Sequence, residues 1–216
     1  NSNIHSEQVL ETHWNERIRR LNKEKVWVDV EKQVLRSYHS LIENFESAKI
    51  KLAEIWIRGE DIAKACIERL INILEEVSES EKKLTNWNVL NLRSIQGKQL
   101  KTKTIWYYEF ACCNVSLDKV KIQWKTLREI SNLCDDTNDT WDLLLPNSLW
   151  VSISLIAEDD NGKPVFIGQF RNNETTMTQR ESSKVVSAAS GWIDPWINFT
   201  QMWSIELEEE LWIKSQ

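Results

Sequence analysis

The placement of chain-breaking residues constrains this sequence more than any other feature. Residues 1–96 contain one glycine, Gly59, and no proline, while all three prolines, Pro146, Pro164 and Pro195, follow residue 145. Glycine and proline interrupt helices and punctuate turns. The front of the chain therefore has little to stop a helix, and the back has frequent turns. Apolar side chains follow the same division. Trp27, Val30, Val34, Tyr38, Leu41, Phe45, Ala48, Leu52 and Ile55 recur at steps of three and four, and the series resumes after Gly59 as Ile62, Cys66, Leu70, Ile73 and Val77. That spacing is one stripe of a helix, close to the heptad seam of a coiled coil. A second stripe, Leu35, Ile42, Ile57, Ile67, Ile71 and Leu74, widens it, as suits helices in a bundle or against another domain. Val9, Trp14, Ile18 and Leu21 predict a shorter helix over about 6–22.

Gly59 leaves two topologies open. It can end one helix while Glu60 and Asp61 open the next, because negative charge suits a helix N-terminus. It can also sit inside one rod from about 28 to 83, on the order of 80 Å long.

The back of the chain changes period. Trp106, Tyr108, Phe110 and Cys112 alternate within a β-favouring run at 104–112. Leu149, Val151, Ile153 and Leu155 do the same, and Asn161-Gly162 before the apolar run from Val165 to Phe170 is a hairpin signal. Alternation at 119–125 favours a strand, although Leu117, Val120, Trp124 and Leu127 also fit a helix. The polar stretch 172–190 reads as an exposed loop or as a short helix at Glu181–Ala189. The last predicted strand, 203–213, places Trp203, Ile205, Leu207, Leu211 and Ile213 on one face, and Glu206, Glu208 and Glu210 on the other. The expected fold class is α+β: a helical region 1–84, as a hairpin or an extended rod, then a β-rich, sandwich-like domain 85–216.

Charge narrows the function classes. The formal net charge is −6, and residues 134–216 hold 5 basic and 14 acidic side chains against 8 and 3 in 85–133. An acidic average argues against a nucleic-acid binder, whose surface is basic. It allows a chaperone for a basic partner. No run of eighteen apolar residues predicts a membrane-spanning helix. Cys66, Cys112, Cys113 and Cys134 have no CxxC spacing, and adjacent Cys112 and Cys113 on a strand would point to opposite faces. Reduced thiols in a cytoplasmic protein are expected. The Asn-X-Ser/Thr triplets at Asn114, Asn138, Asn173 and Asn198 would carry glycan only if the chain were secreted.

Catalytic apparatus is not legible. His5, His13 and His39 all lie in the helical half, away from any Cys or acidic pair at metal spacing. The acidic run Asp135–Asp142 lacks the Gly and closing Glu of a calcium loop. No phosphate loop or nucleophile elbow occurs, and neither a cofactor nor a metal is expected. Val151–Glu174, with its alternating strand, Asn-Gly turn, Gly168 and Asn172-Asn173-Glu174, resembles one hairpin of the anti-silencing histone chaperones. The resemblance implies an immunoglobulin-like sandwich and histone binding; it covers that segment alone, and the helical half has no counterpart there.

The expectation is a non-enzymatic protein–protein interaction module, an adaptor, scaffold or assembly subunit, whose apolar helical seam is covered by a protein partner or by a second copy. Candidate contact residues are Trp192 and Trp196, in the aromatic stretch around Pro195, and the acidic face Glu206, Glu208 and Glu210. Alternatives are a membrane-active protein using the aromatic loop, the chaperone for a basic partner, and an enzyme with an unfamiliar site.

Overall fold

A computed structural model describes residues 12–23, 29–79, 86–135, 140–170, 185–186, 189–193 and 195–211. The chain is of mixed helix and strand with antiparallel ladders. Packing divides it into two units, Asn1–Trp87 with Leu92–Asn147, and Asn88–Asn91 with Ser148–Gln216. The first unit therefore groups residues 92–147 with the front helices. The boundary expected after residue 84 falls in 80–85, outside the described residues.

In the first unit, α1 (Thr12–Lys23), α2 (Val30–Glu46), α3 (Lys49–Glu54) and α4 (Gly59–Ser78) follow one another. Asp29 caps α2 by accepting from Lys32 N, satisfying a donor that a helix start leaves unpaired. The predicted stripe is the buried face: Val34, Leu41, Phe45 and Leu52 on one side, and Ile62, Cys66, Leu70 and Ile73 on the other, are sealed from solvent. Helices α2 and α4 pack together, with α1 and α5 (Tyr107–Cys113) against them.

The structure decides between the two readings of Gly59. The chain leaves α-helix at Ser47–Ala48 and again at Ile55–Arg58, so no single rod exists. Trp56 takes a left-handed φ of 59°, which turns the chain between α3 and α4. Gly59 then starts α4 against the end of α2. A Cβ at Gly59 would lie 2.8 Å from Phe45 Cβ, so only glycine allows this approach.

Strands β1 (Asn88–Gln96), β2 (Gln99–Trp106) and β5 (Thr140–Ser148) form a sheet in the order β2-β1-β5, with Gly97 at a φ of 59° in the β1–β2 turn. The strand expected at 104–112 stops at Trp106. Tyr107–Cys113 is helical, and every residue in it but Phe110 is buried. The β-favouring aromatics mislead here because tertiary packing overrides propensity: Tyr107, Tyr108, Ala111 and Cys112 also form a helical stripe. Cys112 and Cys113 consequently do not point to opposite faces of a strand; both are buried in the helix. The ambiguous segment resolves into both forms. Lys121–Ile122 (β3) pairs with Lys125–Thr126 (β4) across a tight turn, and Leu127–Cys134 (α6) begins at a capping box between Thr126 and Glu129.

In the second unit, Trp150–Ile153 (β6) pairs antiparallel with Ala189–Trp192 (β11), and Leu155–Glu158 (β7) with Pro164–Ile167 (β8). Gln169–Phe170 (β9) pairs with Val185–Val186 (β10), so no helix runs through Glu181–Ala189. The Asn-Gly hairpin forms where the sequence places it, with Gly162 at a φ of 71°. Asp159 holds its loop by accepting from the backbone N–H of Asn161 and Lys163, at 2.8 and 2.9 Å.

The last predicted strand is wrong: Phe199–Leu211 is a helix, α7, packed on β11 and β6. Asn198 accepts from Gln201 N at its start. The alternation that suggested a strand breaks at Glu209 and Trp212, and the run of glutamates favours helix.

Candidate functional site

The helical form of 199–211 dissolves the proposed acidic face. Glu206 is buried, at 7% exposure, on the side that also buries Met202. Glu208, two residues on, is about 200° further around the helix and is exposed. The side chain of Glu210 lies outside the described residues, as does that of Trp192, whose backbone pairs with Trp150. Trp196 is exposed at 80%, in the turn before α7. Among the described side chains, Glu206 and Glu208 therefore do not share one exposed face.

It shows a different surface in the same unit. Along β8, Pro164, Val165, Phe166 and Ile167 are all exposed. Ile156 on β7 is directly opposite Phe166 and exposed at 72%, with Phe166 at 57%. Successive strand residues alternate between faces, so apolar side chains reach solvent on both sides of this strand. Single exposed apolar residues are ordinary; a contiguous patch marks a contact surface. Glu158 and Asp160 at the hairpin tip are also exposed, giving the patch an acidic end. Trp203 on α7 and Trp150 add exposed rings in this unit. Sequence reasoning saw the hairpin but not its exposure, because alternation cannot say which face is covered.

The first unit exposes Trp56 and Trp124 at the tips of two turns joined by a 3.2 Å hydrogen bond from Gln123 Nε2 to Trp56 O. Gln123, like Trp56, is left-handed, with a φ of 57°. These are separate rings on turns rather than a continuous strand.

Inside the first unit is a polar cluster invisible in the sequence. Ser40 on α2 donates to Glu109 Oε2 at 2.8 Å, while Glu109 Oε1 is buried with no hydrogen-bond partner among the described residues. Burial pushes this carboxyl up to about 7, because removing a charge from water disfavours the ionised form. One turn further along α5, Cys113 Sγ lies 3.5 Å from Cys66 Sγ on α4 and 4.0 Å from Cys112 Sγ. The neighbouring Cys112 and Cys113 thiols lower Cys66, and burial raises the other two.

A cavity of about 400 Å³ opens between the α2–α3 junction, α3, β1, the middle of β5 and the end of α6, with Ser47, Lys51, Arg93, Cys134 and Leu144 in its lining. Lys51 Nζ donates to Cys134 O at 2.9 Å, and Arg93 donates to Ser47 Oγ at 3.1 Å.

The remaining chemical candidates are placed as follows. Asp135, first of the acidic run, accepts from Ser131 Oγ and Leu144 N, while 136–139 lie outside the described residues. His39 is exposed beside Tyr38; His5 and the side chain of His13 lie outside the described residues. No group of three or more His, Cys, Asp or Glu among the described residues is arranged to hold a metal ion. No described helix is long and apolar enough to cross a membrane.

Together these features define an α+β chain of two packing units, one with a sealed helical core and one with an apolar hairpin on its surface. Comparison with protein-family models, with curated proteins and with solved structures finds no match to this chain.

Proposed function

We propose that the chain is a protein–protein interaction module that docks its partner on the β7–β8 hairpin of the second unit. The observation that carries this reading is the run Pro164–Ile167, exposed at each residue, with Ile156 exposed opposite Phe166. An exposed strand offers a partner main-chain hydrogen bonds together with side-chain anchors, and aromatic anchors dominate interface energies. The acidic tip, Glu158 and Asp160, favours a partner with basic groups beside an apolar groove and disfavours an anionic membrane. The helical seam, the first support for an interaction role, is covered by α1, α2, α4 and α5 of the same chain, so it supplies no need for a partner.

The test places a photoreactive benzoylphenylalanine at position 166 of the full chain and irradiates it in an extract of its source cells. One dominant protein adduct is expected, with a different protein or a second copy of this chain. The adduct should disappear when Ile156→Lys is added, and should be absent when the probe replaces exposed Asp118 in the first unit. The same adducts from both positions, no adduct at 166, or flotation with vesicles in place of a protein adduct would overturn the reading.

A further inference from the structure

We propose that Cys66 and Cys113 form an oxidation site, closing into a disulfide that staples α4 to α5. Cys66 lies on the buried stripe of α4 and Cys113 at the last position of α5; both are fully buried, and α4 and α5 pack together. Their sulfurs are already 3.5 Å apart, and a disulfide needs them at about 2.05 Å. Side-chain rotation of a fraction of an ångström at each atom, with small helix movement, closes that gap. Cys134 lies on α6, and the sulfur contacts in this cluster join Cys66, Cys112 and Cys113 only among the described residues.

The direction of the chemistry follows from the hydrogen bonds. Cys113 donates its S–H to Cys66 Sγ, which favours negative charge on Cys66, and the thiolate is the form that reacts. The oxidant is a hydroperoxide, of which hydrogen peroxide is the smallest and the best suited to reach a buried thiol. The Cys66 thiolate attacks one peroxide oxygen, the O–O bond breaks, and Cys66 sulfenic acid forms with release of hydroxide, which takes up a proton as water. Cys113 then attacks the Cys66 sulfur through its own, its proton leaves with the displaced hydroxide as a second water, and the S–S bond forms. Two thiols are oxidised by two electrons and one hydroperoxide is reduced, with two waters formed from hydrogen peroxide. Cys112, 4.0 Å from Cys113, is an adjacent-residue competitor; its direct neighbour in sequence is a poor disulfide partner because the connecting backbone is short.

The consequence is local. The bond spans a separation of 47 residues, so it removes conformations from the unfolded chain while leaving the helices in place. Oxidised protein should show a higher denaturant midpoint than reduced protein.

The experiment treats the folded full chain with hydrogen peroxide, then unfolds it in a maleimide and maps the unreduced peptides by mass spectrometry. The expected product has lost two hydrogens, joins the peptides of Cys66 and Cys113, and carries maleimide on Cys112 and Cys134. Cys134→Ser should keep the cross-link and Cys113→Ser should lose it; the wild-type map decides the matter if the second variant does not fold. Oxygen added to single cysteines, a bridge between Cys112 and Cys113 or to Cys134, or four maleimide-labelled cysteines after a dose that fully oxidises free glutathione would overturn the proposal.

Discussion

The sharpest consequence of the polar cluster is a stability that falls as pH rises through neutrality, and Glu109→Gln isolates it. The Glu109 carboxyl ionises near its ordinary 4.5 in the unfolded chain and at about 7 in the folded one, with burial as the main cause. The hydrogen bond from Ser40 opposes this, as do the Trp106 backbone and Lys103, while Cys112 adds to the upward shift. With the folded value above the unfolded one, the contribution to stability is fully present below pH 4.5 and is lost as pH rises through 7. The difference of about 2.5 units, at 1.36 kcal/mol each, amounts to about 3 kcal/mol at pH 8. Urea unfolding of the wild type and of Glu109→Gln at pH 5 to 8.5 measures it. The carboxylate's ionisation should cost the wild type about 1 kcal/mol relative to the variant at pH 5 and about 3 kcal/mol at pH 8. With slopes of about 1–3 kcal/mol/M, the midpoints then separate by about 1–3 M. Taking the difference between the two proteins cancels the other titrating groups. If the variant tracks the wild type within about 0.5 kcal/mol at every pH, the carboxyl is not held neutral by its surroundings and the reasoning fails.

Two further substitutions test how the first unit is held. Gly59→Ala should destabilise by about 1–3 kcal/mol in thermal or urea unfolding, because the new methyl meets Phe45 Cβ at 2.8 Å; helix propensity alone predicts the opposite sign. Arg17→Ala should cost about 1 kcal/mol, since Arg17 on α1 bonds to Glu68, Asn72 and Glu75 of α4 at a partly solvated surface. Arg17 holds the Glu75 carboxyl below its usual range, so this contribution is present above about pH 4.5 and fades in acid; a double-mutant cycle with Glu75→Gln gives the coupling.

How much of this was legible depends on sequence distance. The helical stripes of α2 and α4 could be read because successive members within each helix are three or four residues apart and share one face. The Asn161-Gly162 hairpin could be read because its turn chemistry is local. Helix α7 could not be separated from a strand by Trp203, Ile205 and Leu207 alone; Asn198 as a cap, three residues before Gln201, was the signal that favours helix. Tyr107–Cys113 was misread because its residue types favour strands while its neighbours, α2 and α4, impose a helix. The polar cluster had no local signature at all. Ser40 and Glu109 are separated by 69 residues, and Cys66 and Cys113 by 47, so only the packing of three helices creates it.

The two units differ in what they do with their side chains. In the first, polar groups act on the chain's own framework: Asn86 donates to Gln33 and accepts from the Tyr108 backbone, and Asp135 receives Ser131 and Leu144. Its apolar stripe is consumed by helix packing. In the second unit, a strand with four exposed residues in succession leaves apolar area unburied that the chain gains nothing by exposing. At about 25 cal/mol per Å² of apolar surface removed from water, covering such a strand is favourable for any partner whose groove fits it. A coat of solvent is the least stable environment for Ile156 and Phe166. With Glu206 buried and Glu208 exposed on α7, the proposed interaction rests instead on the β7–β8 hairpin, where apolar side chains and the carboxylates of Glu158 and Asp160 are exposed together.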